Sequence, residues 1–193
     1  MSFGAVLELF LIVANVGTAV VLYPILKRQN KTLALGFVAA RIAESVFIAI
    51  GIVSVLAVVT LRRSATTADA TLVPIGKALV AIHDWTFVLG PGFVVGIGNG
   101  LILGTLMYRS GLVPRRLALV GIVGGALLLL SGALVLVGAF DKGSSPQAIM
   151  TIPEFIWELS LGIYLVARGF RPAALEQLFA KPAPTLSYSS VTP

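Results

Sequence analysis

Long apolar runs separated by short clusters of charge form the dominant pattern along this chain. Leu9–Leu26, Ser45–Leu61, Trp85–Tyr108 and Leu117–Phe140 contain no Asp, Glu, Lys or Arg. A helix needs about 20 apolar residues to cross a hydrocarbon core about 30 Å thick, and each run approaches or exceeds that. The second run is short, so its helix is predicted to start upstream, near Leu33. A fifth segment, Ile149–Ala167, is long enough but carries Glu154 and Glu158. The pattern predicts an all-α integral membrane bundle of five transmembrane helices over residues 1–171. Residues 172–193 are predicted to be a cytoplasmic, disordered tail, with Pro182, Pro184 and Pro193 among Ser and Thr. Within it, Ala173–Ala180 has the composition for one or two turns of surface helix. Between the spans, Arg62–Lys77 contains the turn-prone stretch Ser64–Asp69, and Asp141–Pro146 reads as a tight external turn.

Composition removes the alternatives. Hydrophobic residues make up 58% of the 193 and charged residues 11%, against about 45–50% and about 25% in soluble domains. With no cysteine there is no disulfide, thiolate metal site or cysteine nucleophile, and the one histidine, His83, excludes any site built on two imidazoles. The formal net charge of +6 does not point to nucleic acid, because the basic residues cluster at the ends of apolar runs. Five spans place Lys27, Arg28, Lys31, Arg109, Arg115, Arg116, Arg168, Arg171 and Lys181 on one side, and Arg62, Arg63, Lys77 and Lys142 on the other. The richer side is predicted to be cytoplasmic, giving a multi-pass cell-membrane protein with its N-terminus outside and its C-terminus inside. Met1–Leu7 offers neither a basic n-region nor a small-residue cleavage site, so no cleaved signal peptide is expected. A first span with nothing positive ahead of it initiates insertion poorly, and a sixth, N-terminal span would remove that anomaly.

Polar residues inside the bilayer carry the functional information. Glu8, Arg41, Glu44, His83 and Asp84 each border a charge-free run and are expected at the rims, with Arg41 and Glu44 paired three residues apart on one helix face. The fifth span allows no such placement. If Arg168 marks the inner interface, Glu158 lies about 15 Å deep, and Glu154 sits four residues further out on the same face. Asn15 and Asn99 fall about 16 and 13 Å deep by the same rise per residue. Glu158, Asn15 and Asn99 are therefore expected to meet, either as interhelical glue or as a proton or ligand site. If the first, third and fifth spans are neighbours, Glu8, His83, Asp84 and Glu154 would line an acidic vestibule leading to Glu158, able to hold a cation, a proton relay or a cationic ligand. No metal-ligand spacing is present, and no cofactor is indicated.

Gly92, Gly96, Gly100 and Gly104 form a small-xxx-small ridge predicted to pack against another helix, and Gly90-Pro91-Gly92 should kink or partly unwind the third span. Gly121, Gly124-Gly125 and Gly132 mark the fourth span as another close-packing helix. Gly96-Ile-Gly98-Asn-Gly100 lacks the strand–turn–helix context of a nucleotide-binding fingerprint.

Several segments together resemble a bacterial integral-membrane family, domain of unknown function 4386. They are Arg28-Gln-Asn with Leu33-Ala-Leu-Gly36, Ala39-Ala-Arg-Ile-Ala-Glu-Ser45, Ala81-Ile-His-Asp-Trp-Thr-Phe87 with Leu89-Gly-Pro-Gly-Phe93, Tyr108–Arg116 and Ile152–Ser160. The likeness runs from about Leu7 to Arg171. It implies a multi-span helical fold, with one more N-terminal span than this chain carries, and no established activity, substrate or cofactor. Two function classes follow from the residues. The favoured one is non-enzymatic: an accessory subunit, a sensor or a small proton- or cation-linked permease. The other is an intramembrane enzyme using His83, Asp84, Glu154 and Glu158 as acid–base groups. The bilayer is the expected partner, a homo-oligomer or a larger membrane complex stays open, and nucleic acid is not expected.

Overall fold

In lipid, backbone N–H and C=O groups have no water to bond, so apolar segments fold as helices. The computed structural model describes residues 2–64 and 72–180, and among them are five helices long and apolar enough to cross a membrane. The stretch 65–71 and the tail 181–193 lie outside the described residues, and with them most of the expected Ser64–Asp69 turn and the expected disorder.

The first helix, Ser2–Gln29, and the second, Lys31–Ser64, are separated by Asn30 alone. Asn30 closes the first helix through its own N–H to the Leu26 carbonyl at 3.1 Å and caps the second by accepting from the Leu33 N–H at 2.9 Å. The third helix runs from Leu72 to Ser110, much longer than Trp85–Tyr108, because Leu72–Lys77 is helical rather than connecting loop. The fourth, Arg115–Leu136, ends four residues before the predicted Phe140. The fifth is Ser145–Arg168. Gly138 and Gly143, at φ 76° and 77°, shape the turn that joins the last two. A short helix, Pro172–Ala180, follows and buries Leu178.

Gly90-Pro91-Gly92 does not break the third helix. Instead Val88–Val94 and Gly96–Leu103 take the wider π-helical turn. This is the expected local relaxation where Pro91 supplies no N–H and its ring crowds the preceding turn.

Three glycines of the predicted ridge make the seam with the fourth helix. A Cβ on Gly100 would stand 2.3 Å from Gly125 Cα, one on Gly96 would stand 2.9 Å from the Gly125 carbonyl oxygen, and one on Gly104 would stand 3.1 Å from Ile122. Gly92 does not belong to this seam, since a Cβ there would meet only the Phe87 carbonyl of its own helix, at 3.3 Å. The π-helical turns rotate Gly92 away from the line that an α-helical count gives. The other side of the third helix packs on the second, where Gly90 faces Phe47 and Gly98 faces Ala40. The main buried core, including Leu26, Phe37, Met107, Leu112 and Trp157, lies towards the Lys27–Lys31 end. That end also carries Arg28 over the Phe179 ring and Arg115 over the Tyr108 ring, at 5.1 and 5.5 Å. Outward-facing Phe10, Val20, Val53, Val123 and Val166 form an apolar belt, Val166 being 92% exposed to what would be lipid.

Candidate functional site

The first helix packs along the second and the fifth along the fourth, which leaves an opening between the first and fifth. A cavity of about 370 Å³ fills it, with Leu11, Asn15 and Leu22 on one wall and Phe155, Glu158 and Gly162 on the other. Its floor brings Arg41 and Glu44 of the second helix, Asn99 of the third and Glu154 of the fifth together.

Arg41 and Glu44 do pair, Nη1 to Oε2 at 2.7 Å, but not at a rim. Both are buried, and Arg41 also donates to Asn15 Oδ1 at 3.3 Å. The second helix begins at Lys31, so Arg41 lies ten residues in, about 15 Å along the axis. The expected start near Leu33 is close to the observed Lys31, and a helix beginning there carries Arg41 and Glu44 well inside the span rather than at the border of the charge-free run. The signal that locates it is the Lys31 end of the helix.

The two glutamates exchange the roles expected of them. Glu154, expected near an outer rim, is 2% exposed and sits mid-helix, nine residues from Ser145. Glu158, expected to be the buried one, is exposed at the mouth of the cavity, where it accepts a hydrogen bond from Asn99 Nδ2. Positions four apart on a helix are rotated by part of a turn. That rotation turns Glu154 into the seam between the third and fourth helices and leaves Glu158 facing the gap. Glycines make room for Glu154: a Cβ on either Gly100 or Gly124 would lie 2.8 Å from its Oε2.

The hydrogen-bonding balance of this cavity is incomplete. Neither oxygen of Glu154 has a partner, and Asn99 Oδ1, Asn15 Nδ2 and Arg41 Nε are likewise buried and unpaired. The Asn99 backbone carbonyl accepts from Trp157 Nε1 at 3.2 Å, which fixes this stretch of the third helix against the fifth.

A second cavity, of about 490 Å³, lies at the Lys142 end and adjoins the first at Pro91, Leu128 and Thr151. His83 and Asp84 line it. His83 Nε2 stands 3.1 Å from Glu8 Oε1, joining the first and third helices, and Lys142 Nζ stands 2.8 Å from Asp84 Oδ2. Glu8, His83 and Asp84 thus come together, while Glu154 belongs to the other cavity, so the predicted acidic vestibule is two chambers with Lys142 set into the outer one. The acid–base set His83, Asp84, Glu154 and Glu158 is divided between them. Ser131, buried with its Oγ unpaired, lines the outer chamber and carried no signal in sequence beyond being polar inside an apolar run. Among the described residues no group of three or more His, Asp or Glu is placed to hold a metal ion.

No curated protein and no solved structure matches this chain. Residues 1–169, which include both chambers and all five long helices, match the family described as a domain of unknown function (DUF4386), and the chain belongs to that family.

Proposed function

We propose that the protein is a small, non-enzymatic membrane permease whose inner cavity couples ligand occupancy to proton movement. The observation that carries this reading is Glu154: a carboxyl with no partner, almost fully buried, on the wall of a cavity in the middle of five lipid-spanning helices. An ionised carboxylate left unpaired in such surroundings costs several kcal/mol. A group of this kind earns retention where its protonation changes during the working cycle. The adjoining outer chamber supplies a route for protons past Pro91 and Thr151 towards the Lys142 end.

The infrared carbonyl band of protonated carboxyls tests this without knowledge of the ligand. In nanodiscs, the band should fade as the bulk pH is raised, and Glu154→Gln should remove the change. A carboxyl signal that ignores bulk pH, or a pH response identical in Glu154→Gln, refutes the reading.

The proposed orientation places the Lys27–Lys31 end and the C-terminus in the cytoplasm, supported by the excess of Lys and Arg there. The chain has no native cysteine, so Ser144→Cys should react with an impermeant reagent added to intact cells and Ser189→Cys should not. The reverse labelling pattern overturns the assignment.

A further inference from the structure

Resting on that reading, we infer the class of ligand: an organic monocation with a primary ammonium head and an apolar body, which enters the inner cavity sideways from the bilayer and displaces one proton. Three features of the cavity lead there.

The first is the inventory of vacant groups. Glu154 offers both carboxylate oxygens and Asn99 offers Oδ1, three acceptors to which the vacant donors of the cavity, Asn15 Nδ2 and Arg41 Nε, make no hydrogen bond. An ammonium group carries three N–H donors and no acceptor. The cation already in the cavity does not meet this need: Arg41 Nη1 is committed to Glu44 and Asn15. The charged groups facing the cavity are Arg41 and Glu44 from the second helix and Glu154 and Glu158 from the fifth. The first and third helices contribute the neutral Asn15 and Asn99, and the fourth contributes Leu128. Arg41 and Glu44 cancel, and a ligand of charge +1 cancels an ionised Glu154, which leaves Glu158 at the mouth as the one carboxyl outside these pairs.

The second feature is balance. On this proposal Glu154 carries a proton in the empty cavity, where neither of its oxygens has a hydrogen-bond partner. When the ammonium binds, that proton passes to water and the ammonium N–H groups donate to the carboxylate. One proton leaves as one cation enters, so the buried charge does not change. The third is access. The opening lies between the first and fifth helices, where the exposed Leu11 and Phe155 belong to the cavity lining. Glu158 sits at this mouth as the first carboxyl an incoming cation meets. Such an opening admits amphiphiles already dissolved in the membrane.

Phenethylamine and its neutral isostere 2-phenylethanol are the test probes, titrated calorimetrically into the full chain in nanodiscs, in two buffers of different ionisation enthalpy. Phenethylamine should bind with release of about one proton, and its affinity should rise by up to about tenfold per pH unit while the carboxyl is protonated. The alcohol should bind at least about tenfold more weakly, since the buried acceptors stay unpaired. Glu154→Gln should abolish proton release. Gly162→Leu provides a second variant that keeps the carboxyl: a Cβ at Gly162 meets nothing within 4 Å, so the added side chain starts from open space on the cavity wall and should block binding. Equal binding of amine and alcohol, amine binding without proton release, no amine binding, or full binding in Gly162→Leu overturns the inference. The infrared titration does not depend on either probe, so a titrating Glu154 with no amine binding defeats the ligand class alone.

Discussion

Gly100→Ala measures how closely the third and fourth helices must approach. The added Cβ would lie 2.3 Å from Gly125 Cα and 2.8 Å from Gly125 N. Both are backbone atoms, so no rotamer change relieves the contact. Ordinary contact begins at 3.4 Å, so the helices must separate by about 1 Å at this point. Overpacking of a close-packed interior costs about 1–3 kcal/mol, and separation also weakens the dispersion contacts of Gly96 and Gly104 on the same seam. Gly17→Ala is the matched control, because a Cβ there meets nothing within 4 Å. Melting in detergent, followed by the fluorescence of Trp85 and Trp157, should show Gly100→Ala clearly destabilised and Gly17→Ala unchanged or slightly stabilised. Equal melting of the two variants would show that the seam is looser than the glycine contacts require, and the close-packing argument would fail.

Further predictions address the polar groups. Arg41→Leu leaves Glu44 buried without its cation and should cost about 3–5 kcal/mol, whereas the double variant Arg41→Leu/Glu44→Leu should recover most of that loss; a double variant no more stable than the single one contradicts the pairing. Glu158→Gln can keep the bond to Asn99 and should melt like the parent, while Glu158→Leu should lose about 0.6–2 kcal/mol, and the reverse order of stability would show that the Asn99 bond does not stabilise the bundle. Lys142→Ala removes a half-exposed ion pair with Asp84 and should change stability by less than about 1 kcal/mol, so a large loss in the same melting assay would mean that the pair closes the outer chamber more firmly than its exposure implies.

The spans were legible because hydropathy reports where lipid must be, and the bond between Asn99 and Glu158 followed from matching depths. Rotation about a helix axis was harder to read. Depth arithmetic treats Glu154 and Glu158 as one face, yet the position of the neighbouring glycines decides which of the two is enclosed. Arg41 was misplaced for a related reason. The expected start near Leu33 already put Arg41 inside the helix, but the edge of the charge-free run at Ser45 is not the edge of the bilayer, and the pair lies in the interior. Across Val88–Leu103 the π-helical turns depart from the 3.6-residue period, which is why Gly92 leaves the line of Gly96, Gly100 and Gly104.

The same glycines explain why Glu154 lacks a partner. A buried carboxyl in a membrane bundle is ordinarily satisfied by a side-chain donor on a facing helix. At Glu154 the facing surface is Gly100 and Gly124, which have no side chains to donate. Their amides lie within helices, where backbone carbonyls already claim them. The seam that brings the helices this close therefore removes the donors that would neutralise Glu154 from within. On the proposed reading, neutralisation comes from outside the chain, as a proton in the empty cavity and as a cation in the occupied one. On that reading close packing and proton exchange are linked: a donor-bearing residue at Gly124, such as Gly124→Ser, should both strain the seam, lowering the melting temperature, and remove the pH response of the Glu154 infrared band.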